Sequence, residues 1–95
     1  MNYQSVKTIG DSSNAWELRF NPKYEDFSIK TTAGKVNMSV EDNAITIAVT
    51  GLGYVTPDKC IAIGKALKEA GQAAEQFQII MDNYYSVGLD FSAIQ

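Results

Sequence analysis

Polar and apolar residues alternate along the first half of this chain, and then the period changes. Residues 15–20 place Trp16, Leu18 and Phe20 on one side and Glu17 and Arg19 on the other. Residues 25–31 repeat the pattern with Phe27 and Ile29 against Ser28 and Lys30. Residues 35–40 set Val36, Met38 and Val40 against Lys35, Asn37 and Ser39. Residues 44–50 set Ile45, Ile47 and Val49 against Thr46, Ala48 and Thr50. A period of two predicts strands with one buried and one wet face. Residues 3–9 make a first strand with weaker alternation. Turn formers separate these stretches: Asp11-Ser12-Ser13-Asn14, Asn21-Pro22-Lys23, Thr32-Ala33-Gly34 and Glu41-Asp42-Asn43. Gly34 is expected to supply a positive φ. Loops this short join neighbouring antiparallel strands, so four or five strands form a meander.

From Thr56 the period becomes helical. Cys60, Ile63, Leu67, Ala70, Ala74, Phe77, Met81 and Tyr84 recur at alternating steps of three and four, the stripe of a helix with one buried face. Thr56 can cap the start, Pro57 suits the first helical position, and Asp58 complements the positive end of the dipole. The wet sheet face needs no cover and the apolar one does, and only this helix can supply it. The two halves therefore predict each other: an α+β fold, an antiparallel sheet over 1–55 and a long amphipathic helix over 56–86 packed on one face. An apolar tail over 87–95 completes a single domain. The helix, roughly 39 Å long, outruns a sheet about 24 Å across. It is expected either to break at Gly71 or to overhang with its second half, and the helix end and tail suggest a homodimer contact.

Composition adds mainly exclusions. The 95 residues are 45% hydrophobic and 20% charged, ordinary for one globular domain. The longest uninterrupted apolar run is four residues, 60–63, and the first residues lack an export signal, so a cytoplasmic protein is expected. The net charge of −3 is well mixed, which disfavours a general affinity for nucleic acid. The chain has no histidine and one cysteine. Histidine-based acid–base chemistry, serine triads and zinc sites therefore lack their parts, and neither an enzyme, a cofactor nor a metal is expected. Cys60, on the apolar stripe, reads as a packed thiol. The adjacent carboxylates Glu25-Asp26 and Glu41-Asp42 read as solvated turn residues.

Gly51-Leu52-Gly53-Tyr54-Val55 follows a strand and precedes a helix. Together with Ile47-Ala48-Val49-Thr50 it resembles the glycine-rich loop of UDP-sugar dehydrogenases, a resemblance that implies dinucleotide binding. Thr56 and Pro57 stand where a third glycine belongs, and Asp82 lies later than the ribose-binding acid of that pattern. The glycines are instead expected to swing the chain from the sheet onto its face.

The exclusions point to a protein that acts by binding another protein, an inhibitor or accessory protein of the kind carried by phages and mobile elements. Its candidate contact residues are the basic and aromatic Arg19, Tyr24, Lys30, Lys35, Tyr54, Tyr84 and Tyr85, because tyrosine offers large area at low entropic cost. A second expectation comes from architecture. A meander followed by a helix looks like the transcriptional-coactivator family that binds single strands as dimers. That likeness implies a nucleic-acid surface on the outer sheet face, built from Arg19, Lys30 and Lys35 with Tyr24.

Overall fold

A computed structural model describes residues 3–51 and 53–87. It has five antiparallel strands, β1 (Gln4–Gly10), β2 (Ala15–Asn21), β3 (Asp26–Thr32), β4 (Val36–Glu41) and β5 (Ala44–Val49), followed by one helix, α1 (Pro57–Val87). The strands follow chain order but form two sheets, β1-β2-β3 and β4-β5.

Each turn is explained by its residues. Asp11 accepts hydrogen bonds from the backbone N–H groups of Ser13 and Asn14 at 2.8 and 3.2 Å, closing the β1–β2 loop. Asn21 does the same for Lys23 at 3.0 Å. Asp42 and Asn43 both have positive φ, 52° and 63°, so β4 and β5 meet in a two-residue turn whose twist matches the strands. In the β3–β4 connection Ala33, not Gly34, takes the left-handed conformation, with φ of 51°. Gly34 serves a different need: a Cβ there would collide with the Asn14 side chain. Weak alternation in β1 also has a cause. The pairing with β2 shifts between Ser5 and Lys7, making Val6 the extra residue of a bulge. Val6 is buried, and Ile9 still lands opposite Trp16.

The break between β3 and β4 is closed by side chains. The indole Nε1 of Trp16 donates to the Val36 carbonyl at 2.9 Å in a buried position. The Met38 N–H donates to Thr31 Oγ1 at 3.2 Å. Two backbone groups of β4 that a continuous sheet would have paired with β3 thus find other partners, as buried polar groups must.

The core lies between the sheets and α1. Trp16, Leu18, Phe20 and Phe27 come from the larger sheet, Val36 and Met38 from the smaller, and Ala66, Ala70, Ala73, Phe77, Ile80 and Met81 from the helix. The helix is continuous through Gly71. Thr56 caps it, its Oγ1 accepting from Lys59 N at 3.3 Å.

Its 31 residues make it about 46 Å long, more than twice a six-residue strand. The overhang is at the opposite end from the one the sequence suggested. Phe77, Ile80 and Met81 are buried, whereas no residue before Ala66 is. The first turns of α1 thus lie off the core, which the helix joins from Ala66 onward. Cys60 is consequently exposed rather than a core thiol, and Leu67 is 39% exposed. The expected contact of the tail over 88–95 lies outside the described residues.

Candidate functional site

Three surfaces carry the candidate residues. The first is the outer face of β1-β2-β3. Arg19 sits between Ser5 and Ser28 in the ladder, and Lys30 lies opposite Glu17. Arg19 Nε approaches Glu17 Oε1 at 3.9 Å, and its guanidinium lies 5.3 Å from the centre of the Tyr3 ring. The Tyr3 hydroxyl donates to Asp26 at 3.1 Å. Partial burial, and then the hydrogen bond to Asp26, raise the Tyr3 phenol above the usual tyrosine range. Each positive group here has a carboxylate near it. Lys35 does not join this face, since it lies in the β3–β4 connection.

The second surface is an aromatic corner. The Tyr84 ring packs 4.8 Å from Phe20 and 5.6 Å from Phe27, centre to centre, in tilted and edge-on geometries. Its hydroxyl donates to Glu25 Oε1 at 2.9 Å. That bond, with some burial and the Glu25 charge, raises the Tyr84 phenol. Tyr84 thus ties the helix end to the β2–β3 turn, where Glu25 has a φ of 53°. Tyr85 touches Phe27 and Tyr84 while remaining 45% exposed. Tyr24 projects from the same turn, with Lys23 Nζ over its ring at 5.3 Å. Phe20 and Phe27 were legible as core, but their partnership with Tyr84 needed the fold.

The third surface is one that alternation and periodicity did not reveal. Under the projecting first turns of α1 lies a cleft of about 330 Å³ between the helix and the β3–β4 connection. Val36, Ala62, Ile63 and Ala66 form its apolar walls, and Lys35 and Lys59 stand at its sides. A second cleft of about 190 Å³ adjoins it along Asn14, Ala62 and Ala66, with Asp11, Lys65 and Glu69 at its rim. Of the residues expected from sequence, Lys35 lines this cleft; Tyr54 stands fully exposed ahead of α1 and lines neither cleft. Among the described residues no group of three or more His, Cys, Asp or Glu side chains is placed to hold a metal ion. None of their helices is long and apolar enough to cross a membrane.

Asp11, at the rim, is held below the usual carboxylate range by the N–H groups of Ser13 and then Asn14, with help from Lys65. A carboxyl whose pKa falls on folding stabilises the folded state above its unfolded pKa and ceases to do so as pH drops through the folded value. The Asp11→Ala variant should therefore melt below the parent at neutral pH. The gap should close on acidification below the ordinary carboxylate range. A gap unchanged by acid, in parallel thermal melts, would mean that charge has no part in this turn.

Comparison with known protein families, curated proteins and solved structures gives no match to this chain.

Proposed function

We propose that this protein acts by binding another protein, as an inhibitor or accessory subunit, through the projecting first turns of α1 and the cleft beneath them. The observation that carries this reading is the cleft itself. Its walls are apolar, two lysines flank it, and the helix above it buries nothing before Ala66. That chemistry suits an apolar side chain of a partner next to a carboxylate, the combination of a desolvated centre and a polar rim found in specific interfaces.

The outer sheet face supports nucleic-acid binding less well. Its Arg19 is shared with Glu17 and Tyr3, and Lys30 faces Glu17, which leaves little uncompensated charge to displace counterions.

One experiment separates the two. A partner captured with the full chain from its cells of origin should be lost with Ile63→Asp and Lys59→Glu, both at the cleft, and retained with Lys30→Glu. Loss with Lys30→Glu alone would move the site to the sheet. Binding of a fluorescent oligonucleotide that falls steeply with added salt would replace this reading by the second one.

A further inference from the structure

We propose that β5 pairs antiparallel with β5 of a second copy of this chain, about a two-fold axis at Ala48. This goes beyond the binding role above and uses a different surface.

The pairing of β5 with β4 fixes which of its backbone groups point outward. Thr50 N donates to the Lys35 carbonyl at 2.9 Å, so the pair 35–50 is hydrogen-bonded. Along an antiparallel ladder such pairs alternate, which makes 37–48, 39–46 and 41–44 the other bonded ones. The N–H and C=O groups of Ile45, Ile47 and Val49 therefore face away from β4. On β4, the outward Val36 carbonyl accepts from Trp16 and the outward Met38 N–H donates to Thr31. On β5 only the Ile45 N–H is covered. Gln78 Oε1 accepts from Ile45 N at 3.2 Å, and its Nε2 donates to the Asn43 carbonyl at 2.9 Å. The outward groups of Ile47 and Val49 have no such cover among the described residues.

Such an edge is a template for strand addition, and proteins usually guard it with charge, proline or a bulge. β5 reads Ala-Ile-Thr-Ile-Ala-Val and has none of these. A two-fold at Ala48 sets Ile47 opposite Val49 of the second copy, and Val49 opposite Ile47. Four hydrogen bonds form, all from the open groups, and Gln78 is left in place.

The helix says which occupant fits. Gln78 lies beside Ile45, while Ile63 and Ala66 lie beside Val36, whose ladder partner is Val49. So α1 runs antiparallel to β5. Ala48 is about 10 Å along the strand from Ile45, which is about seven helix residues back from Gln78, at Gly71. Gly71 shares Gln78's side of the helix, and a Cβ there would touch nothing within 4 Å. Pairing two copies puts their helices on one sheet face roughly 14 Å apart, three strand spacings. The exposed Ile47 and Leu67 fill the gap from each side. Exposed Lys68 and Glu75 flank Gly71 by three and four residues. The antiparallel arrangement therefore sets Lys68 of each copy beside Glu75 of the other, twice. A second copy offers this complementarity of sign at both ends.

The test uses the full chain in sedimentation equilibrium from about 1 μM to about 200 μM. The expected result is a monomer–dimer equilibrium. Ala48 is exposed, and its side chain faces away from α1, so Ala48→Lys should keep the far-UV spectrum, and at a dilution where the parent is monomeric the melt, unchanged. It sets two lysines directly opposite at the axis and should leave a monomer. Lys68→Glu and Glu75→Lys should each weaken self-association about tenfold. An equimolar mixture of the two should form a heterodimer close to the parent's affinity. A parent that stays monomeric overturns the proposal. So does a dimer untouched by Ala48→Lys, which would place the contact at the helix end, or a mixture no tighter than its components.

Discussion

Phe77→Ala should remove about 3–5 kcal/mol of stability, the cost of deleting a large core side chain that its surroundings cannot refill. Leu67→Ala should remove less than about 1 kcal/mol. Both residues lie on the same apolar stripe in the sequence, so periodicity alone predicts similar losses. Burial separates them: Phe77 is 0% exposed and Leu67 39%. Phe77 enters the core opposite the sheet, among side chains with no solvent route, whereas the leucine sits on the flank toward β5. A chain of this length has roughly 5–14 kcal/mol in total, so the phenylalanine variant should be partly unfolded on mild warming. Urea titration by circular dichroism, at a dilution where the chain is monomeric, reads both. Equal losses would mean that the helix is rotated toward the Leu67 side and that the core described here is wrong.

That contrast marks what the sequence could and could not convey. The strands, their order, the capped helix start and the core roles of Trp16, Phe20 and Phe27 were legible, because alternation and turn chemistry are local. The rotation of α1 was not. Ala62, Ala66, Ala70, Ala73 and Ala74 are small and apolar, and any of several stripes through them is consistent with burial. The bulky Ile63 and Leu67 drew the expected stripe to one side. The buried face instead runs through Ala66, Ala70 and Ala73, where short side chains let the helix approach the sheet. The point of overhang was hidden for a related reason: it depends on where along its length α1 meets the sheet, which no periodicity encodes. The cleft beneath α1 follows from that overhang, and of its lining only Lys35 was among the expected contacts. The split into two sheets was hidden because the bonds that close the seam come from Trp16 and Thr31. Both residues read simply as strand positions.

The seam makes the second large prediction. Trp16→Phe should cost about 2–4 kcal/mol, more than the lost ring volume alone would suggest. The phenyl ring can occupy most of the site, but it has no donor for the Val36 carbonyl, which is buried with the indole. An acceptor stranded there loses its bond without regaining water, and that penalty alone is about 1–3 kcal/mol. Thr31→Val removes the neighbouring bond to Met38 N, which is only partly buried, and should cost about 1 kcal/mol. The double variant should fall short of the sum by about 0.5–1 kcal/mol. Once one bond is gone the two sheets can separate slightly, and the other is already weakened. Circular dichroism is the appropriate signal, since Trp16 is the sole tryptophan. Strict additivity would mean that the two bonds report on independent sites. The sheets would then be held together by α1 lying across both, and not by the seam between them.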